Sequence, residues 1–182
     1  WCQKEAYFHS IRNQLKIIYK PKRELSGSAK KYLKTIKSTN SVSIHIRRGD
    51  YLKNNTFKTL SLSYYKKGIE IIKQNVVQPE FYLFSDDLEW VKQKFSWLSN
   101  STIVEIIEDE GKGNPVFIED FTLMKYCKFN IIANSSFSWW ASYLNENHSN
   151  LVLSPKIWFD DVQYQQSWSN NLVNQDNWII VG

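Results

Sequence analysis

From Ser41 onward, short apolar or alternating runs trade places with longer stretches whose apolar residues recur every three or four positions. The short runs fall at 41–47, 80–84, 102–107, 129–133 and 150–153, and their lengths and residue types predict strands. The stretches near 61–76, 86–96, 116–127 and 136–146 predict helices. Regular strand–helix alternation of this kind predicts an α/β fold, with a parallel sheet covered by helices on both faces. Upstream, Ala6, Tyr7, Ile11, Leu15 and Ile18 are at helical spacing, so a helix is expected over 3–19, ended by Lys20-Pro21. Ser26-Gly27-Ser28 reads as loop and 29–36 as a second short helix. Beyond Pro155 the chain is polar and aromatic, with Trp158, Phe159, Tyr164, Trp168 and Trp178. Such scattered aromatics read as core and rim packing, with stacking on sugar rings as the other reading.

Composition narrows the function. A chain of 182 residues with 42% apolar and 23% charged residues is globular and long enough for one domain with a sizeable core. No apolar run approaches the roughly 18 to 20 residues that a membrane-spanning helix needs. The net charge of +5 is spread out, which favours an anionic ligand without arguing for nucleic acid. Cys2 and Cys127 make no disulfide framework, and Cys127, in the apolar stretch Leu123–Cys127, is expected to be a buried, reduced thiol. His9, His45 and His148 are far apart, so no metal site is expected. The start, Trp1-Cys2-Gln3-Lys4-Glu5, has neither an initiator Met nor a signal-peptide core, and the chain reads as a fragment or processed product. The lack of a targeting segment points to the cytoplasm.

Ligands of open α/β sheets bind outside the carboxyl ends of the strands, so the residues that follow each strand matter most. Three strand ends stand out. In Ser43-Ile44-His45-Ile46-Arg47-Arg48-Gly49-Asp50, alternation puts His45 and Arg47 on one face and Ile44, Ile46 and Arg48 on the other. An Arg there either clamps a phosphate through paired charge-assisted hydrogen bonds or meets Asp50 or another acid in a structural ion pair. Arg48-Gly49-Asp50 also spells an adhesion tripeptide, for which a strand end is a poor host. In Phe84-Ser85-Asp86-Asp87, Ser85 is suited to cap a helix whose first turn takes both acids, and one carboxylate is a candidate acceptor for a base or hydroxyl. In Asn134-Ser135-Ser136-Phe137-Ser138, hydroxyls and free N–H groups at a helix start make either a simple cap or an anion nest.

His45-Ile46-Arg47-Arg48-Gly49-Asp50 matches the His-x-Arg-Arg-x-Asp motif of α1,2- and α1,6-fucosyltransferases and protein O-fucosyltransferases. With Phe84–Asp87 and Asn134–Trp140 following in order, the chain resembles the α1,2-fucosyltransferases of glycosyltransferase family 11, from about Trp1 to Trp178-Ile179-Ile180. The resemblance implies a GT-B architecture of two Rossmann-like domains. This chain would supply the C-terminal one: residues 1–39 as linker helix and remnant of the acceptor domain, and 40–182 as the GDP-fucose-binding domain. The Gly-Gly-Leu-Gly-Asn-Gln segment expected near the family's N-terminus is absent.

Carried over by position, the resemblance implies that Arg47 is catalytic and grips the diphosphate. His45 and Asp86 would sit by the guanine and ribose, Asp86 accepting from guanine N–H groups. Ser135, Ser136 and Phe137 would cradle the phosphates, and Arg48 and Asp50 would brace the motif. The implied reaction is transfer of L-fucose from GDP-fucose to the 2-hydroxyl of a galactose-terminated glycan, with inversion. No cofactor or divalent metal is implied, and peripheral association with a membrane surface is compatible with it. The alternative is a non-catalytic nucleotide-sugar or glycan-binding module.

Overall fold

The computed structural model describes residues 7–53, 56–107, 114–145, 147, 151–170 and 178–182. Six strands, β1 (Asn40–Ile46), β2 (Pro79–Ser85), β3 (Ser101–Ile103), β4 (Phe129–Ile131), β5 (Val152–Pro155) and β6 (Ile179–Val181), form one sheet in the order β3-β2-β1-β4-β5-β6. Every pairing is parallel. This is the doubly wound order, and its direction reverses between β1 and β4. The helices are α1 (Arg12–Ile18), α2 (Gly27–Ser38), α3 (Leu62–Asn75), α4 (Leu88–Lys94), α5 (Val116–Tyr126), α6 (Ser136–Tyr143) and α7 (Val162–Asn170).

The expected parallel α/β sheet is therefore present, with local corrections. The helix expected over 3–19 is a 3-10 turn at His9–Ile11 followed by α1, and 3–6 lie outside the described residues. Ser26 caps α2 by accepting from the Ala29 N–H, so that helix starts at Gly27 rather than 29. The strand expected over 102–107 pairs only at 101–103, and the next residue, Val104, adds a single bond from its N–H to the Leu83 carbonyl. β6 and α7 were not expected: Ile179-Ile180-Val181 is too short a run to signal a strand, and it is the edge of β5 that makes it one.

The two sheet faces are chemically different. Val42, Ile44, Ile46, Phe81, Leu83, Ile131 and Leu153 pack on Tyr65, Ile69 and Ile72 of α3 and Val91 of α4. The other face meets α2, α5 and α6 through Phe84, Ile132, Leu123, Met124 and Trp139. It also carries a buried polar seam. The Asn130 amide donates to Ser43 Oγ at 2.6 Å and to the Met124 carbonyl at 3.1 Å, while its oxygen accepts from Asn145 at 3.1 Å. Glu119 is fully buried and accepts from the Ser26 N–H and hydroxyl at 2.8 and 2.6 Å, locking α2 to α5. Buried polar groups satisfied in this way fix one register for the sheet and its covering helices, because any slip would leave them unpaired. Cys127 is buried and reduced, as expected, and burial pushes its thiol far up.

Asn130→Ala should lower unfolding stability by about 2–4 kcal/mol, because Ser43, Asn145 and the Met124 carbonyl lose their partner together. Urea denaturation followed by circular dichroism measures this, and a loss under about 1 kcal/mol would show that water substitutes for the amide.

Candidate functional site

The reversal of strand order leaves a crevice between the carboxyl ends of β1 and β4. β1 delivers His45 and then Arg47; β4 runs through Ala133 and Asn134 into the N-terminus of α6. A cavity of about 810 Å3 lies there, and its lining includes His45, Arg47, Asp86, Ser135, Ser136 and Phe137. All six residues singled out in the sequence thus border one space. Asp50, Tyr51, Phe57 and Asp120 border it too. A second cavity of about 880 Å3 adjoins it, sharing Pro115, Phe117, Ser136 and Phe137, and is lined chiefly by Tyr19, Phe121, Trp140 and the Lys20–Arg23 stretch.

Arg47 faces the crevice and Arg48 faces away, as strand alternation predicts. The Arg47 guanidinium reaches Asp86 Oδ2 and Asp50 Oδ1, each at 2.8 Å. Arg48 donates from Nε to Asp87 Oδ2 at 3.0 Å and lies 4.0 Å from the Trp90 ring centre, a cation–π contact. Arg48 is thus tied down on the far side, and Arg48-Gly49-Asp50 is not a flexible exposed tripeptide. Asp86 is the hub: besides Arg47, its Oδ1 accepts from the Arg48 and Gly49 N–H groups at 2.9 and 3.2 Å. A Cβ at residue 49 would stand 2.9 Å from Asp86 Oδ2, so glycine lets the loop close over this carboxylate. Ser85 ends β2 instead of capping α4. The cap is Asp87, whose carboxylate accepts from the Trp90 N–H at 3.2 Å.

At the other wall Ser135 caps α6, its hydroxyl accepting from the Phe137 N–H at 3.3 Å. The helix N-terminus, with its partial positive charge and remaining free N–H groups, points at the crevice from which Arg47 is approached. The Asn134 amide donates to the carbonyls of Lys58 and Trp158 at 2.6 and 2.7 Å. Its buried nitrogen is therefore committed to holding two loops together, and the Asn-Ser-Ser sequence there is no exposed glycosylation acceptor.

Among the residues that line the crevice, His45 and Asp120 each bury a polar atom without the partner that polar burial normally demands. His45 is 6% exposed, and its Nδ1 has no hydrogen-bond partner. Burial, chiefly, holds its pKa down at about 4, so the ring is neutral at physiological pH. Asp120 Oδ1 is likewise buried without a partner. Burial first, and then the Glu119 charge, push the Asp120 carboxyl up to about 7. Asp120 escaped the sequence reading because it sits in a helix, far from any strand end. The available signal was a pair of adjacent acids, Glu119-Asp120, in an otherwise apolar helical turn. Among the described residues no group of three or more His, Cys, Asp or Glu could hold a metal ion.

The family description "Glycosyl transferase family 11" matches residues 1–181. The chain belongs to glycosyl transferase family 11. It is 39% identical over 163 residues to an alpha-1,2-colitosyltransferase of Escherichia coli, covering 87% of this chain and 54% of that protein. It is 24% identical over 150 residues to galactoside alpha-(1,2)-fucosyltransferase 1 of Homo sapiens, covering 76% of this chain and 40% of that protein. The chain thus spans about half the length of the curated relatives it matches. Among solved structures it overlaps the fucosyltransferase NodZ from Bradyrhizobium at a TM-score of 0.40 and 12% identity, over 77% of this chain and 59% of that one. No helix among the described residues is long and apolar enough to cross a membrane.

The two arginines of this family 11 chain should separate by measurement. Arg48→Ala loses an ion pair and a ring contact at a largely buried position, and should lower stability by about 1–2 kcal/mol. Arg47→Ala should cost less than half of that. Thermal melts of both variants decide it, and the reverse ranking would mean the strand phase is off by one residue.

Proposed function

We propose that this chain is the donor-binding part of a glycosyltransferase that moves L-fucose from GDP-fucose to the 2-hydroxyl of a β-galactoside, with inversion. The observation that carries the reading is the lining of the crevice at the switch point. The cavity is lined by a cation, by a helix N-terminus, by neutral His45 and by Asp120, whose buried Oδ1 has no partner. The first pair suits a diphosphate. The second suits a base whose edge presents adjacent N–H donors, as guanine does. Kinship with a colitosyltransferase and with galactoside 2-fucosyltransferases supports the reaction class.

In this reading the roles of the acids are redistributed. Asp86 already accepts from Arg47 and two backbone N–H groups, so it orients the cation, and the base-reading acceptor is Asp120. Asp50, whose side chain is 64% exposed, releases Arg47 at little cost because an exposed ion pair contributes about 0–1 kcal/mol. The freed guanidinium edge and the α6 N-terminus then stabilise the charge that grows on the departing diphosphate, without a divalent metal. Inversion follows if the acceptor hydroxyl attacks from the face opposite that group. A second reading, transfer of a colitosyl group from the corresponding nucleotide, is favoured by the 39% identity to a colitosyltransferase. Paired transfer assays with both donors on the full-length enzyme separate the two.

The direct test is calorimetry of GDP against the polypeptide. GDP should bind, and Arg47→Ala should weaken it about 10- to 100-fold, the scale of a charge-assisted hydrogen-bond pair. Guanine N–H groups need ionised Asp120, so affinity should rise about tenfold from pH 6 to pH 8, and Asp120→Asn should flatten that dependence. For stability the sign is opposite: the raised folded pKa favours the protonated acid, so stability is lost as pH rises through about 7, and Asp120→Asn should unfold later than wild type at pH 8. Absence of GDP binding at either pH would overturn the proposal.

A further inference from the structure

Tyr51 touches both the cation and the chain segment that opens into the anion nest. It sits in a 3-10 turn, Asp50–Lys53, immediately after the Arg-Arg-Gly-Asp loop, and is 8% exposed. The Arg47 guanidinium carbon lies 5.7 Å from the centre of its ring. Its hydroxyl donates to the Asn134 carbonyl at 3.0 Å, at the chain segment that opens into Ser135 and α6. The opposite anchor is Phe57, stacked on Tyr51 with centroids 4.6 Å apart and planes within 13°. Phe57 in turn packs on Phe159 at 5.5 Å. The ring is therefore clamped in the plane that Arg47 lies against.

We infer that Tyr51 is a positioning residue: it fixes the distance and angle between the Arg47 guanidinium and the N-terminus of α6, so that one diphosphate meets both. The inference rests on the proposed binding of a nucleoside diphosphate and adds a residue that acts through Arg47 without touching the base. Three constraints combine to make this more than packing. The ring face restricts Arg47, which otherwise has several rotatable bonds and two competing carboxylates. The hydroxyl joins β1's loop to β4's loop across the switch point, the line along which the crevice would widen. Burial raises the phenol's pKa, which keeps the hydroxyl a donor over the whole physiological range.

Calorimetry with GDP and with guanosine, on wild type, Tyr51→Phe, Tyr51→Leu and Arg47→Ala/Tyr51→Leu, tests the inference. Tyr51→Phe keeps the ring and loses the tie, so GDP should bind about 3- to 10-fold more weakly. Tyr51→Leu loses both, and the expected weakening is about 10- to 50-fold. Guanosine, which has no diphosphate, should bind all variants within about twofold of wild type if only the phosphate end is disturbed. In the Arg47→Ala background the Tyr51→Leu effect on GDP should shrink to about twofold or less, the signature of a residue that works through Arg47. If Tyr51→Leu does not fold, Tyr51→Phe decides alone. GDP binding unchanged in Tyr51→Phe and Tyr51→Leu, a loss of guanosine equal to that of GDP, or additivity with Arg47→Ala would each overturn the positioning role. Failure of wild type to bind GDP would instead overturn the donor-site reading, and this inference with it.

Discussion

The carboxylate of Asp86 organises the loop on which the candidate site depends. It leaves the end of β2 and reaches across to the end of β1, where it takes one guanidinium edge of Arg47 and the N–H groups of Arg48 and Gly49. Three donors on one carboxylate fix both the backbone path after β1 and the direction of the cation. The arrangement needs glycine at 49, since a Cβ there would crowd the pinned Asp86 oxygen. It also needs the seven-residue register between β1 and β2, which sets His45 opposite Phe84 and Ile46 opposite Ser85. Arg48 and Asp87 repeat the pairing one residue on, on the outer side and against Trp90. The two strand ends are thereby stitched twice, once facing the crevice and once facing away.

Rigidity at this point is supported by the asymmetry of the sheet. The face toward α3 and α4 is predominantly apolar. The face toward α2, α5 and α6 contains Ser43, Asn130, Asn145 and Glu119 in satisfied, buried hydrogen bonds. Such bonds add modest net stability but penalise every alternative alignment, so they act mainly on specificity. Their consequence for the site is positional. α5 and α6 are held at fixed height relative to β1, which brings Asp120 and the α6 N-terminus to the same space that His45 and Arg47 enter.

Burial tunes the chemistry of that space. A histidine kept neutral and a carboxyl raised to about 7 are both consequences of removing a group from water without giving it a partner. Ordinary structural burial satisfies its polar atoms, as Glu119 shows one residue away from Asp120. The contrast between these neighbours in one helical turn separates a carboxylate that holds the fold together from one that borders the crevice.

Local pattern determined a good deal on its own. The apolar periodicities located five of the six strands and fixed the face on which Arg47 lies, because side-chain direction in a strand depends only on parity. The three polar strand ends, each within a few residues of an apolar run, marked His45, Arg47, Asp86 and Ser135 as candidates. The tertiary structure decided what those residues meet. Strand order, which puts β1 beside β4 across the 82 positions from 47 to 128, is set by packing between elements and leaves no trace in any local window. Whether Asp86 faces a ligand or a loop, whether Ser85 or Asp87 caps α4, and whether an acid in a helix is paired like Glu119 or unpaired like Asp120 all depend on groups distant in sequence. So does β6, a three-residue run that becomes a strand only because β5 offers it an edge. Periodicity reports which side of an element faces the core; the identity of what it finds there is a property of the folded chain.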